Sequence, residues 1–151
     1  MPLTEEQKIE NKINRKFEAF KCLQLSTVKN QVLREFQKLR RLQTSRFGEW
    51  ECISCQKFVN AGDVDAGHFV SRKHTATAFD PKNCWSQCKY CNRHLNGNLD
   101  SYRRNLIEVI GLHEVRRLEI TKTVDITYHR HDYAAMYVSY QQEINKLKGK
   151  S

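Results

Sequence analysis

The chain of 151 residues is long enough for one domain, or for one small domain with helical attachments. Apolar residues make up 39% of it and charged residues 28%, which indicates a helix-rich protein with much solvated surface, and the 10% of aromatic residues argues against disorder. No apolar run is long enough for a transmembrane helix, and residues 1–6 lack the basic and apolar segments of a signal peptide, so a cytoplasmic protein is expected.

Lysine and arginine exceed aspartate and glutamate by 26 to 17, so the net charge is +9 and a polyanionic partner such as DNA is expected. The excess is uneven: residues 1–50 hold 11 basic and 6 acidic side chains, residues 51–100 hold 6 and 5, and residues 101–151 hold 9 and 6. The near-neutral middle contains the candidate chemical residues, and the basic flanks are suited to holding phosphates. Solvation of helix faces is the alternative explanation.

Residues 4–45 are predicted to form two helices. A capping box starting at Thr4 opens the first helix, and apolar residues then recur at helical spacing. Ser26 and Thr27 are the expected break, after which a second apolar stripe begins. Cys22 lies in the first stripe and is expected to pack in the core.

Two cysteine pairs follow with the same spacing: Cys52 with Cys55, and Cys88 with Cys91. Disulfides are not expected in a cytoplasmic chain, whereas four thiolates can bind one tetrahedral zinc ion. The spacing therefore predicts a structural zinc site, and the 32 residues between the pairs leave room for a hairpin with another function. Cys84 is expected to pack in the core, with a role as substitute ligand as the alternative.

Residues 64–70, between the pairs, are predicted to form a strand that contains His68. Residues 99–148 return to helical periodicity, and Gly111 is suited to the C-cap of the first helix there. The tyrosines at 133–140 form a stripe that is expected to face a core.

Three residues between and after the cysteine pairs have hydrolytic chemistry: His68, Asn83 and Asn92. A neutral imidazole near pH 7 can take a proton from a water that attacks a phosphodiester. A hard cation such as Mg²⁺ or Mn²⁺ would supply charge stabilisation through oxygen ligands, and the Asn92 amide oxygen, next to Cys91, is a suitable ligand. A structural or zinc-binding role is the alternative for His68.

A zinc knuckle that encloses a strand-borne histidine and ends in a Cys-Asn step resembles the HNH (ββα-metal) nucleases. A closer resemblance, to the phage NinG/Rap family, is carried by residues 65–69, 83, 87–98, 102–107 and 110–112. It implies a recombination endonuclease that nicks branched DNA, such as D-loops and Holliday junctions, in the host cytoplasm. Members of that family often have an extra N-terminal cysteine-rich finger, where helix is expected here.

The resemblance implies a role for each residue of the site. His68 is the general base, and Asn83 belongs to the catalytic set as the residue that orients the loop presenting His68. HNH nucleases usually have a metal ligand directly before the base, where this chain has Gly67. Asp65 shares a strand face with that position, so Asp65 and Asn92 are the expected ligands of the catalytic cation. Turn capping is the alternative for Asp65.

Phosphate contacts are expected from basic side chains near the site and at the end of the second helix, although each of them is also explained as a solvated charge. These residues are Arg72, Lys73, Lys89, Arg93, Arg103, Arg104, Arg40, Arg41 and Arg46. Such contacts carry no sequence information, and no segment resembles a base-reading helix, so recognition of DNA shape is expected.

The predicted fold class is helix-rich α+β, with a zinc-stabilised treble-clef (ββα-metal, HNH) core at residues 50–112. A basic helical segment, residues 1–49, precedes the core, and a helical segment, residues 113–151, packs on it. Two other functions remain open: a non-catalytic zinc-stabilised nucleic-acid-binding module and a sequence-specific HNH nuclease. The preferred branched substrate, the choice between Mg²⁺ and Mn²⁺, and the oligomeric state, monomer or homodimer, are also open.

Overall fold

The computed structural model describes residues 1–149, which divide into two compact units. One unit contains residues 40–126, and the other contains residues 1–39 with the described residues from 127 onward. The elements run α1 Glu5–Lys21, α2 Leu25–Thr44, β1 Trp50–Glu51, β2 Phe58–Val59, β3 Val64–His68, α3 Thr75–Ala78, a 3₁₀ turn Pro81–Asn83, β4 Cys84–Cys88, a π-helical turn Tyr90–His94, α4 Leu99–Ile110, α5 Leu112–Thr121 and α6 Arg130–Lys148.

The unit that contains both chain ends is helical. Its first helix, α1, begins at the predicted capping box, in which the Thr4 hydroxyl accepts from the Gln7 N–H and the Gln7 side chain accepts from the Thr4 N–H. Helix α6 packs along α1, with the rings of Phe20 and Tyr137 edge to face at 6.1 Å. Arg130 of α6 donates to the Phe20 carbonyl near the end of α1, where the helix dipole favours a cation.

The second unit contains two antiparallel hairpins, β1–β2 and β3–β4. In the β3–β4 hairpin, His68 lies opposite Cys84 and Asp65 lies opposite Gln87. Side chains alternate between the faces of a strand, so Asp65 and Gly67 share one face of β3 and His68 belongs to the other. This register fixes which residues of the candidate site can meet.

Helices α4 and α5 form the core of the same unit. Gly111 separates them with a φ of +86°, a left-handed conformation that glycine adopts without strain. The buried side chains of Tyr102, Leu106, Val115 and Leu118 pack with Ile53 and Val70 from the loops beside the hairpins. The core thereby anchors both ends of the candidate site, the cysteine loop and the end of β3.

The helix-rich α+β architecture with small sheets agrees with the sequence prediction, whereas the treble-clef assignment stays a prediction. Three local expectations are corrected. The break between α1 and α2 lies at residues 22–24, so Ser26 and Thr27 lie inside α2, and Cys22 is exposed because it occupies the C-cap of α1. Strand β3 ends at His68, two residues earlier than predicted.

The two units divide the chain differently from the predicted segments 1–49, 50–112 and 113–151. The end of α2 belongs with the hairpins because Arg40 donates to the Cys84 carbonyl at 2.9 Å. Helix α5 belongs there because its apolar side chains enter the core. No helix within residues 1–149 is long and apolar enough to cross a lipid bilayer.

Candidate functional site

Four cysteine side chains converge at the ends of β1 and β4. Their Sγ atoms all lie within 4.8 Å of one another, and the Sγ atoms of Cys55 and Cys88 are 3.8 Å apart. A tetrahedral zinc ion with Zn–S bonds of about 2.3 Å separates its sulfurs by about 3.8 Å. Cys52, Cys55, Cys88 and Cys91 therefore fit zinc in number, chemistry and spacing. Elsewhere in residues 1–149, no three His, Cys, Asp or Glu side chains are close enough to hold a metal.

Amide donors surround the sulfurs. The Cys55 N–H donates to the Cys52 Sγ at 3.5 Å, the Cys91 N–H donates to the Cys88 Sγ at 3.4 Å, and the Asn98 amide contacts the Cys91 Sγ at 3.5 Å. These bonds orient the sulfurs and favour thiolates. Burial raises the pKa of Cys55, Cys88 and Cys91, so a bound metal must displace their protons.

His68 is half-buried at the end of β3. Its Nε2 lies 2.8 Å from the carbonyl oxygen of Ala78, which can only accept, so Nε2 carries the hydrogen and Nδ1 is the basic nitrogen. Burial lowers the pKa of His68; the bond to Ala78 opposes this effect, and the charge of Arg72 adds to it. The ring is therefore held neutral at pH 7, in the form that a general base requires.

Asn83 is fully buried, and its amide bonds only to backbone. Its Oδ1 accepts from the Val70 N–H at 2.7 Å, and its Nδ2 donates to the carbonyls of Val70 and Thr77 at 2.9 and 3.0 Å. These bonds close the loop of residues 70–83, in which Thr77 directly precedes Ala78, the partner of His68. The contacts are those of a positioning residue, in line with the loop-orienting role expected of Asn83.

Asp65 lies beside Asn92, but its carboxylate is occupied. Arg93 donates to both carboxylate oxygens at 2.8 Å, and the Asn92 Nδ2 donates to one of them at 2.9 Å. Burial acts to raise the pKa of Asp65, but the bonds from Arg93 and Asn92 outweigh it and lower the pKa. The carboxylate and the amide are the oxygen groups that a hard cation prefers, and Arg93 must release Asp65 before such a cation can bind.

Packing accounts for the glycine directly before His68. A Cβ at Gly67 would overlap the side chain of Gln87, which is fully buried. Gln87 donates to the Gly97 carbonyl at 2.5 Å and to the Ser54 hydroxyl at 2.8 Å, and within residues 1–149 its Oε1 has no hydrogen-bond partner. Tyr102 donates to the Gly67 carbonyl at 2.7 Å. Position 67 is therefore filled by a neighbour and cannot supply a ligand side chain.

The predicted phosphate ligands fall into three groups. The side chains of Arg46, Arg72, Lys73 and Arg104 are exposed, whereas Arg40 is buried and Arg41 is half-buried. The other three bind protein acceptors: Arg93 binds Asp65, Arg103 pairs with Glu119 at 2.6 Å, and the Lys89 ammonium donates to the Gly62 carbonyl. The exposed group therefore includes the two cations, Arg72 and Lys73, that follow β3 directly.

Comparison with known proteins gives this arrangement a family. The profile of the family described as Bacteriophage Lambda NinG protein matches residues 3–150, nearly the whole chain. The chain belongs to the NinG family. The NinG part of the resemblance seen in the sequence is thereby confirmed, while the HNH and Rap nuclease activities stay proposals.

NinG proteins of several phages are similar to this chain. Protein ninG of Salmonella phage P22 is 38% identical over 104 residues, which cover 64% of this chain and 47% of the relative. Protein ninG of Escherichia phage lambda is 35% identical over 106 residues, with shares of 64% and 47%. The chain thus spans about half the length of these curated relatives. No solved structure matches it.

The sequence of this NinG family member did not reveal the partners of its site residues. The Ala78 carbonyl has no side-chain signature, and nothing in the sequence predicts that Gln87 fills the space above Gly67. The pairing of Arg93 with Asp65 could be inferred from the sequence, because Arg93 directly follows the expected ligand Asn92 and has the charge opposite to that of Asp65. The sequence analysis instead predicts a phosphate contact for Arg93.

Proposed function

We propose that this protein is a metal-dependent endonuclease that nicks branched DNA by hydrolysing a phosphodiester bond. The main support for this proposal is the hydrogen bond between the His68 Nε2 and the Ala78 carbonyl, which selects the tautomer with a basic Nδ1. The histidine lies at the start of a loop with two exposed cations, Arg72 and Lys73, suited to the phosphates on either side of a scissile bond.

His68 acts as the general base in this proposal. Its Nδ1 takes a proton from the attacking water, and the Ala78 carbonyl stabilises the resulting imidazolium through the Nε2–H. Burial keeps the ring neutral before the reaction, and Asn83 keeps the loop closed. A positioned base of this kind contributes about 10²–10⁴ to a rate.

Asp65 and Asn92 would hold the catalytic Mg²⁺ or Mn²⁺. Such a cation supplies charge stabilisation at the phosphate. Arg93 holds both oxygens of Asp65, and a guanidinium binds phosphate as readily as carboxylate. We therefore assign Arg93 an exchange of partners, in which a DNA phosphate draws it from Asp65.

A second candidate is the zinc-stabilised DNA-binding module without catalysis. The observation in its favour is the same Asp65–Arg93 pair, which neutralises the carboxylate that a catalytic cation would need. In that case His68 and Asn83 serve only to hold the loop of residues 70–83. The two candidates differ in whether any phosphodiester bond is broken.

The test is a nicking assay on a labelled four-way junction, with and without Mg²⁺, in protein of verified zinc content. The endonuclease proposal predicts nicks that require Mg²⁺, and it predicts their loss in His68→Ala. His113→Ala is the matched control, because His113 is exposed on α5 and should nick normally. Junction binding without cleavage at any Mg²⁺ or Mn²⁺ concentration would support the binding module.

A further inference from the structure

A cavity of about 350 Å³ lies on the far side of β4 from β3. The end of α2, the β1 segment, β4 and α4 line it, and all of these belong to the unit of residues 40–126. The Ile53 N–H donates to the Ser86 carbonyl on this edge of β4, whereas the opposite edge pairs with β3. The cavity is therefore separate from the Asp65–Asn92 pair, and two of its lining residues, Arg40 and Arg46, are among the predicted phosphate contacts.

Arg40 lines this cavity as a buried cation; the charge of Asp80 acts on it, but the Asp80 carboxylate is paired with Arg117. Arg40 is only 8% exposed. Its Nε donates to the Cys84 carbonyl, and its Nη1 donates to the Gln43 side-chain oxygen. Within residues 1–149 no carboxylate forms an ion pair with it. A buried charge is costly unless it is paired, so this guanidinium is suited to an anionic ligand.

The other lining residues indicate which anion. Arg46 adds a second cation from the end of α2, whereas Glu51 and Glu108 bring carboxylates from β1 and α4. Trp85 adds an aromatic surface, and its ring lies 5.0 Å from the Arg40 guanidinium. A simple phosphate site would exclude the two carboxylates. A nucleotide whose base has an exocyclic amino group uses all three features: cations for its phosphate, an aromatic face for its base, and acceptors for the amino group.

We propose that this cavity binds one unpaired nucleotide of a DNA strand, with its phosphate at Arg40 and Arg46 and its base against Trp85. An amino group of the base would donate to Glu51 or Glu108. The inference rests on the proposed function for its choice of DNA, and it adds a reason for branch selectivity, since unpaired nucleotides occur at branch points. Arg40 also connects the cavity to the candidate active site, because it binds the carbonyl of Cys84, the residue paired with His68.

The base chemistry makes the proposal testable with short strands. Cytosine has an amino group that a carboxylate can accept from, whereas thymine has none. The intact protein should therefore bind the hexanucleotide dC6 more tightly than dT6, by about fivefold in about 0.15 M salt without Mg²⁺, the scale of one specific base contact. Fluorescence anisotropy of labelled strands measures both affinities.

Two variants separate the cavity from general charge attraction. Replacing both acidic residues, Glu51→Ala with Glu108→Ala, removes both acceptors and makes the protein more basic, so simple attraction predicts tighter binding of both strands. The cavity predicts instead that the ratio of dC6 to dT6 affinity falls to about one. Arg46→Gln should weaken both strands clearly more than Arg116→Gln, which removes the same charge from the exposed face of α5. Arg46 and Arg116 are both exposed, so neither arginine substitution disturbs buried contacts.

Competition with dCMP separates a strand from a free nucleotide as the ligand. A strand site predicts dC6 binding at least about tenfold tighter than dCMP, because flanking phosphates contribute. Equal affinities would overturn the strand assignment, and no dC6 preference in the wild-type protein would overturn the cavity assignment. Nicking measured on the same preparations separates the two proposals: nicking without a dC6 preference removes only the cavity, and a dC6 preference without nicking removes only the nuclease.

Discussion

His68 shows how a single side chain acquires chemistry from residues distant in the sequence. Its position on a strand followed from the sequence, but its tautomer depends on the Ala78 carbonyl, ten residues along the chain. Asn83 bonds the carbonyl of the preceding residue, Thr77, and the backbone of Val70 in the same loop. The sequence predicts a base role for the histidine, and that role stays a prediction. The contact that selects Nδ1 could not be predicted, because any residue supplies a carbonyl.

The lowered pKa of His68 predicts an acid limit to activity. Nicking requires the neutral ring, so we expect the rate to be constant near neutral pH and to fall as the pH decreases through a value below 6.5, the ordinary pKa of histidine. Protonation also acts on folding. The unfolded chain takes up this proton more readily than the folded one, so the contribution of His68 to stability is lost as the pH falls below about 6.5. A pH–rate profile between pH 5 and 8 measures the first effect, and a rate that increases on acidification would contradict it.

The Asp65–Arg93 pair predicts a gain of metal affinity on mutation. Arg93→Gln removes the cation that occupies both carboxylate oxygens, so Mn²⁺ binding to the DNA-free protein should tighten by about fivefold or more, the scale of a partly buried ion pair. Titration calorimetry of zinc-loaded protein measures this affinity. Arg104→Gln is the control, because Arg104 is exposed on α4 and has the same charge. Equal Mn²⁺ affinity in Arg93→Gln and wild-type protein would show that Arg93 does not compete with a cation.

At the scale of elements, the cysteine cluster joins two short hairpins. Strands β1 and β2 are two residues each, and hairpins of this size are marginal in water without further support. Cys88 and Cys91 continue from β4, and Cys52 and Cys55 follow β1. Zinc would therefore add a cross-link between the hairpins to the hydrogen bonds that Ser86 forms with Glu51 and Ile53.

Loss of one cysteine should accordingly cost the fold of this region. Cys88→Ser should release zinc and unfold the hairpins, because binding free energy at a structural zinc site is folding free energy. Cys22→Ser is the matched control: Cys22 is exposed and should leave zinc content and the thermal transition unchanged. Zinc analysis and circular dichroism on both variants decide the point. A Cys88→Ser protein that melts cooperatively at the wild-type temperature would contradict a structural role.

The elements were predictable where local chemistry decides them. The capping box at Thr4, the turn at Gly111 and the repeated cysteine spacing each produce the expected feature. Expectations failed where tertiary contacts decide: Cys22 follows the apolar stripe of α1 but lies at its exposed end. Cys84 was expected to be buried and is, and burial raises its pKa to about 12.

At the scale of the whole molecule, the main property that the sequence establishes is its excess of positive charge. The chain carries +9, and five predicted phosphate ligands in the unit of residues 40–126 are exposed cations, namely Arg46, Arg72, Lys73, Arg93 and Arg104. The chain spans about half the length of its curated NinG relatives. Its endonuclease activity and its branched-DNA substrate are therefore proposed for this chain and not taken from those relatives.

Electrostatic binding predicts a salt dependence that can be assigned to named residues. The logarithm of DNA affinity should fall linearly with the logarithm of salt concentration, and replacing Arg72 and Lys73 together with glutamine should reduce the slope by about 1.8, since each phosphate contact contributes about 0.9. Arg116→Gln with Lys122→Gln, both exposed near α5, is the charge-matched control.

In about 0.15 M salt a four-way junction should compete better than linear duplex of the same sequence. Equal competition by the two DNAs would contradict recognition of shape.

The most direct test of the central claim is the single-turnover nicking rate of His68→Gln on a four-way junction. Glutamine retains an N–H donor that can replace the ring at the Ala78 carbonyl, but it has no basic nitrogen. We expect the His68→Gln variant to have wild-type zinc content and junction affinity, and a nicking rate lower by about 10²–10⁴-fold. A rate within about tenfold of wild type in a folded, zinc-loaded variant would show that His68 is not the general base.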